Sequence, residues 1–442
     1  MVSKLVKSLS KNLFLSLVFA LIPASFIAGN LVLNLNILIF IIIALIFHWK
    51  KIFKINLEFI DKSIIIFFLF ISFTGIFNSV ENYFYMTSIS VAPNHDYTIL
   101  YKTIFYLRYL ILYFCIRYFL RNGFINLKYF FFSCFICSLF VSLDILYQLK
   151  FGKDIFGYEG IFIHSASRLS GPFGDELIAG SYLQRFGIIA LFFFPFFFQN
   201  LDKKKLVIVV VVLFMLYFIA IILSGNRMPL IMFVGLIVLI IIFEKRIRKY
   251  LLTLSLLASL LFGIIYSQNR NIESQINTFF LQTKKLSSVF FSEEIDRYQL
   301  PDHFAEFESF YDTWLMNKYI GGGVRSFRIN CPHRLNLHPD ERKKCNTHPH
   351  NYYLEILADI GLIGFMLTLI IFFLVFYKIF IKKYFFKSEL NSNILITPFI
   401  YLFLIEIFPI RSSGSFFTTT NSTYIFLILA ILIGLSKRAK KN

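Results

Sequence analysis

Charge is scarce in this sequence, and negative charge scarcest. Asp, Glu, Lys and Arg make up 16% of the 442 residues, with 25 acids against 44 bases. A soluble chain carries nearer a quarter. Apolar residues take the place of charge: 57% are hydrophobic, 19% aromatic and 59 are Phe, giving a mean hydropathy of +0.71. No water-soluble core holds that much phenylalanine, so a soluble globular protein is excluded. The class that remains is an all-α, polytopic membrane protein. Pro, with 11 residues, and Gly, with 20, are too few to build a low-complexity linker, and no internal repeat divides the chain. Cysteine, with five residues, is too rare for a disulfide scaffold. The net charge of +19 would suggest nucleic acid on a soluble protein. Here most bases lie in short loops between apolar runs, which makes the lipid bilayer and its anionic headgroups the partner and excludes nucleic acid.

The apolar runs number twelve: 12–28, 31–47, 63–78, 98–116, 129–149, 181–199, 206–223, 229–243, 251–267, 354–381, 393–409 and 420–435. Several are near the lower limit for crossing about 30 Å of hydrocarbon. The distribution of bases orients them. Segments 1–11, 48–62, 117–128, 200–205, 244–250, 382–392 and 436–442 hold 24 Lys and Arg, whereas the short segments on the other side hold five: Lys150, Lys153, Arg168, Arg227 and Arg411. The base-rich side is cytoplasmic, so both termini are expected inside. The N-terminus, with Lys4, Lys7 and Lys11 ahead of an apolar run, has the look of a secretory signal with Ala24 and Ala28 near a cleavage point. It is read as an uncleaved first span, because the topology closes only if it is kept. Three regions follow: spans one to nine over 1–267, one large outer loop over 268–350, and spans ten to twelve over 351–442.

The loop carries five of the eight His residues. Phe304, Phe307, Phe310, Tyr311 and Trp314 recur at helical spacing within Glu293–Lys318, and Gly321-Gly322-Gly323 ends that pattern. A loop of this length is seldom filler, and it is expected to pack over the spans as a cap. Cys331 and Cys345 both fall in it. A disulfide between them would close a loop of about 15 residues, worth about 3 kcal/mol in loop entropy, and would restrain the segment delivering His348 and His350. The alternative is a zinc site drawn from Cys331, His333, His338, Cys345, His348 and His350, although the spacing matches no standard zinc module. Cys115, Cys134 and Cys137 fall in spans and are read as packing.

Three outer arginines stand at membrane depth, where a lone cation is costly. Arg227 lies in the tight turn Ser224-Gly225-Asn226-Arg227. Arg168 opens Arg168-Leu169-Ser170-Gly171-Pro172-Phe173-Gly174-Asp175. Arg411 precedes Ser412-Ser413-Gly414-Ser415-Phe416-Phe417. A guanidinium fork suits phosphate oxygens; snorkelling at the interface is the plain alternative for each. Arg108 and Arg185, in or near spans, are left without a role beyond internal pairing. His350-Asn351 closes the outer loop just after Pro349. From Asn351 onward Leu354, Leu357, Ala358, Gly361 and Gly364 recur on one helical face. An imidazole at that mouth can take a proton from a hydroxyl; capping the helix is the plain alternative.

These pieces together resemble the O-antigen ligase family, within the ligase–polymerase superfamily of bacterial envelope glycosyltransferases. The family hallmark is a His followed by Asn, Ser or Gln, then nine residues and Gly-x-x-Gly. Here that is His350-Asn351 followed by Gly361-Leu362-Ile363-Gly364. Ser224 to Arg227, Arg168 to Asp175, Gly321 to Phe327 and Ser413 to Phe417 are similar to further family motifs in the expected order. Twelve spans, with the long loop after the ninth, match the family's arrangement. The resemblance implies a metal-independent, inverting transfer of a glycan from undecaprenyl pyrophosphate to lipid A–core, at the periplasmic face of the bacterial inner membrane and without a cofactor. It implies His350 as the base and Arg227 as the group holding the pyrophosphate. Arg168, Asn351 and Arg411 are further candidates for substrate binding. Many members carry a second loop arginine where this chain aligns His303, so that role passes to His303 itself, Arg297, Arg325 or Arg328. The alternatives are an O-antigen polymerase extending a lipid-linked glycan and a transporter or flippase of lipid-linked oligosaccharide. The single long loop argues against the first. Charges gathered at the outer rim, with no related halves, argue against the second.

Overall fold

The computed structural model describes residues 2–88, 97–163, 166–270, 272–274, 276–277, 280–281, 284, 302–333, 345, 350–386, 394–409 and 414–437. Every apolar run of the sequence is met by a helix: α1 Lys11–Ile27, α2 Asn30–Ile52, α3 Phe59–Ser79, α4 Thr98–Arg121, α5 Leu127–Phe151, α6 Ala179–Phe197, α7 Lys203–Leu223, α8 Arg227–Phe243 and α9 Arg248–Gln268, then, after the long loop, α12 Tyr352–Tyr384, α13 Ile394–Glu406 and α14 Thr419–Ser436. Nine of these are long and apolar enough to cross a membrane; α1, α8 and α13 are shorter. The loop contributes α10, Asp302–Met316, and the short α11, Phe327–Asn330. The helix expected from the aromatic spacing is α10; residues 293–301 lie outside the described residues. Among the described residues the fold is all-α apart from one two-stranded pair, β1 Ile161–Ile163 with β2 Ala166–Arg168, antiparallel and with Ile161 opposite Arg168.

Local chemistry sets several helix ends. Asn126, Asp202 and Thr418 each accept a backbone N–H at the start of α5, α7 and α14, which satisfies a donor the helix cannot. Gly152 ends the helical stretch of α5 in the left-handed conformation. The core is organised around α14. Every residue from Asn421 to Leu435 is buried, as expected of a helix apolar on all faces. Its closest neighbour is α4, where a Cβ on Gly434 would stand 2.9 Å from Leu120 Cβ and 3.2 Å from the Arg117 carbonyl. Helix α9 is the opposite case, with its apolar surface turned almost wholly outward.

One end of the bundle, away from the long loop, is held by ion pairs. Arg117 Nη2 reaches Asp61 Oδ2 at 2.8 Å and Glu58 Oε1 at 3.5 Å, and Lys378 and Lys437 both pair with Glu58. Nearby, Glu244, just past α8, accepts from Tyr384 Oη at 2.6 Å and Tyr401 Oη at 3.2 Å, with Lys383 Nζ at 3.6 Å. The finishing ends of α8 and α12 therefore meet at the start of α13. Helices α8 and α12 run the same way, and their first residues, Arg227 and Tyr352, lie at the other end, the loop end.

The sequence reads as one unbroken helix from Asn351 through Gly364. The structure corrects this. Helix α12 breaks at Gly361, which takes φ +65° and ψ −174°. In an unbroken helix Leu362 N would donate to Ala358 O and Ile363 N to Asp359 O. Instead, Gly322 N donates to Ala358 O at 3.2 Å and Gly323 N to Asp359 O at 2.7 Å, while Leu362 N donates to Lys318 O at 2.8 Å and Ile363 N to Tyr319 O at 3.1 Å. All four groups freed by the break are taken up by the loop at residues 318–323. This part of the loop is inserted into the span, not laid over it. Asn78 and Asn317 both donate from Nδ2 to Gly321 O at 3.0 Å, which pins the insert from α3 and from the loop itself.

Glycine is required at this crossing by distance. A Cβ on Gly361 would meet Tyr319 O at 2.3 Å, and one on Gly321 would meet Gly361 N at 2.4 Å. Both contacts are with backbone, which cannot rotate aside. Gly361→Ala and Gly321→Ala should each cost about 3 kcal/mol or more through clash and a positive φ. Gly263→Ala, on α9 with nothing within 4 Å of a Cβ, should change stability by less than about 1 kcal/mol. Thermal melting of the three variants in detergent checks the contrast.

Candidate active site

The first turn of α12 is tied down residue by residue. Asn351 Oδ1 accepts from Tyr353 N at 2.9 Å and Leu354 N at 3.2 Å, which makes Asn351 the helix N-cap, and its Nδ2 donates to Pro409 O at 3.0 Å. Tyr352 Oη donates to Glu406 Oε1 at 3.0 Å, and Tyr353 Oη donates to Ile407 O. His350 stands immediately before this turn, half-buried and with φ +53°. Among the described residues, it and Arg325, at φ +57°, are the two non-glycine residues with positive φ. Such backbone persists only where its surroundings impose it.

One turn further on, two acids share a face of the same half-helix. Glu355 and Asp359 are both buried, four residues apart. Asp359 Oδ2 accepts from Arg325 N at 2.7 Å, and its Oδ1 accepts from Ser326 N at 3.2 Å and Ser326 Oγ at 3.1 Å. It thereby fixes the backbone leading into α11. Glu355 accepts from Ser415 Oγ and Phe416 N, and Arg325 lies within its electrostatic reach. One carboxylate clamps the loop before His350; the other clamps the segment after α13. Phe310 stacks on Phe327 over Cys331, Ala358, Trp314 and Leu354, closing this cluster with apolar contacts.

Arg227 begins α8 after the turn Ser224–Asn226, in which Gly225 takes φ +68°. That turn packs on the start of α6. A Cβ on Gly180 would stand 2.5 Å from Ser224 Oγ and 3.3 Å from Asn226 Cβ, and Asn226 Nδ2 donates to Leu177 O at 2.8 Å. Arg168, at the end of β2, is carried on a loop pinned to α5 by Gln148, whose Oε1 accepts from Gly171 N at 2.9 Å and whose Nε2 donates to Tyr158 O at 3.1 Å. The structure brings the two guanidinium groups close enough to repel each other. Burial holds the Arg168 guanidinium below its usual range, and its buried Nε has no hydrogen-bond partner among the described residues. Two cations held together in a partly dry place suit a dianion. His350 precedes α12 and Arg227 begins α8, and both helices are touched by α13. Its last turn holds the head of α12, and Ile405 Cδ1 lies 3.6 Å from where a Cβ on Gly235 of α8 would stand.

The other sequence candidates are placed as follows. Arg325 is half-buried beside Asp359, and Arg328 on α11 is exposed. His303 falls in the first turn of α10, its side chain outside the description. Arg297, His348 and Arg411 lie outside the described residues. Cys331 and Cys345 are joined as a disulfide with Cα atoms 5.7 Å apart. That bond removes both thiolates from the alternative zinc set. Arg185 pairs internally with Glu406, and Arg108 donates to Phe105 O, Asn34 Oδ1 and Tyr109 Oη.

Residues 210–369 match the family model described as O-antigen ligase. That match, over about a third of the chain, supports an O-antigen ligase family assignment. It takes in the Arg227 turn, the inserted glycines, His350 and the broken half of α12; it leaves out Arg168 and the segment after α13. A search of curated proteins finds no match. Together with the apolar helices, the family match supports a multi-pass membrane glycosyltransferase of the ligase or polymerase type, a family that implies a lipid-linked glycan donor and an acceptor.

Sequence reasoning missed Glu355, Asp359, Tyr352 and Glu406 as organisers of this end. The signal was present: three acids stand in otherwise apolar runs, and ionisable groups at such depth face the interior and find partners. Asp359→Ala would strand three donors and should destabilise the protein by roughly 2–4 kcal/mol. Faster proteolysis near residue 325 in the variant than in the parent chain, under otherwise equal conditions, is the expected readout.

Proposed function

We propose that this O-antigen ligase family member transfers a glycan from undecaprenyl pyrophosphate to lipid A–core or a similar acceptor at the periplasmic face of the inner membrane, with both termini in the cytoplasm. His350 takes the proton from the acceptor hydroxyl as its oxygen attacks C1 of the donor sugar. The bond from C1 to the pyrophosphate oxygen breaks, attack from the opposite face inverts C1, and undecaprenyl pyrophosphate leaves with the electron pair. Arg227 holds the pyrophosphate and stabilises the extra negative charge it gains on leaving. Arg168 shares the load, and Arg325, Arg328, His303 and Arg411 are further candidates for substrate contact. Asn351 keeps His350 at the head of α12, and the 268–350 loop caps the centre.

The observation that supports this reading best is that Arg168 lies near enough to Arg227 for the two charges to act on each other. A base alone would suit many reactions. A base together with two mutually repelling guanidiniums suits displacement of a pyrophosphate.

Deleting the gene and examining lipopolysaccharide on a gel separates the readings. A ligase leaves bare core, a polymerase leaves core with one repeat, and a transporter leaves lipid-linked glycan stranded in the cytoplasm. In complementation, His350→Ala should insert normally and lose transfer at least about 100-fold, the lower range for general-base loss. Arg227→Lys, which cannot offer the planar fork, should fall short of wild type by about 10-fold or more in kcat/KM. Normal transfer by His350→Ala would remove the base assignment.

A further inference from the structure

Beneath the head of α12 lies a buried polar cluster that the proposed reaction does not use. Arg185 Nη2 reaches Glu406 Oε1 at 2.6 Å, Asn421 Oδ1 at 2.8 Å and Tyr352 Oη at 3.3 Å, and its Nε reaches Glu406 Oε2 at 3.3 Å. The guanidinium also stacks 4.4 Å from the Tyr424 ring centre. All three polar partners are buried. The cluster joins four elements: α6 through Arg185, α12 through Tyr352, α13 through Glu406 and α14 through Asn421.

Two features set it apart from ordinary packing. A buried ion pair adds little net stability over apolar residues of the same volume, and its best-attested use is to fix one arrangement among several. Arg185 also sits in a π-helical stretch, Leu183–Gly187, a local widening of the helix common at functional positions. Helix α6 bears on both halves of the proposed centre. Its start, at Gly180, packs on the Ser224–Asn226 turn that presents Arg227. Five residues later, Arg185 grips Tyr352, two residues from His350.

We propose that Arg185 is a positioning residue: through Tyr352 and Glu406 it sets where His350 stands relative to Arg227. This rests on the reading of His350 as the base. Asn351 and Tyr353 hold the same turn, but only by the backbone carbonyls of 407 and 409. Tyr352 bonds directly to Arg185 and Glu406 of the network that reaches α6, whereas Glu355 reaches it through Ser415 and Asn421, so the tyrosine hydroxyl is the direct carrier of register between the two groups.

The test uses the full chain in liposomes, with undecaprenyl-pyrophosphate-linked glycan and acceptor isolated from source cells lacking the gene. Tyr352→Phe keeps the ring against Phe416, 5.6 Å away, and removes only the hydroxyl. The expected result is a kcat lower by about 10-fold with a donor KM within about twofold of wild type, because a misplaced base slows chemistry without loosening the phosphate grip. Arg185→Lys keeps the charge without the fork and should show the same split. Wild-type kcat in Tyr352→Phe, or a rise in KM at unchanged kcat, overturns the proposal. So does a loss that follows the unfolded fraction and is fully restored on cooling. His350→Ala, assayed alongside, separates the two claims. Normal transfer there brings down the base reading itself, whereas an inactive His350→Ala beside a Tyr352→Phe of wild-type kcat brings down only the positioning role.

Discussion

The loop end of this protein depends on one exchange of backbone hydrogen bonds. Two intrahelical bonds of α12 are given up at Gly361, and four bonds to residues 318–323 replace them. In lipid an unsatisfied amide or carbonyl costs several kcal/mol, so neither segment can adopt its form without the other. The loop and the span are one structural unit. Everything near the proposed centre inherits its place from that unit: Arg325 and Ser326 follow the insert directly and are clamped by Asp359, and the half-helix 352–360 carries His350 at its head.

A second layer of constraint is electrostatic. Five of the described acids in or beside apolar segments are matched. Asp61 and Glu58 take Arg117, Lys378 and Lys437 at the far end; Glu406 takes Arg185; Glu355 and Asp359 take the N–H and O–H donors of two loops. Burying these groups unmatched would be far costlier than the pairs are stabilising. The arrangement trades little stability for a fixed geometry at both ends of the bundle.

Much of this was legible in the sequence, for definite reasons. Apolar runs of about 17 residues mark helices wherever they fall, because the hydrocarbon core leaves no other way to satisfy the backbone, and all twelve runs appear as helices. The His350-Asn351 and Ser224–Arg227 motifs were legible because tight turns and helix heads have strong local signatures. The break in α12 was not. Gly361 and Gly364 fit a helical face as well as they fit a kink, and only the distant Gly321–Gly323 decides between the two. Asp359 was hidden for the same reason: its partners lie 33 and 34 residues upstream, and a lone Asp in an apolar run does not announce which loop it will clamp.

The inserted glycines also impose an order on biogenesis. Residues 318–323 are synthesised before Gly361, and they meet it only once the later span has entered the bilayer. Until then the segment around Gly361 has two choices: to be a plain continuous helix, or to wait. On the first course, two helical bonds are exchanged for the four loop bonds after membrane integration, before the working end exists.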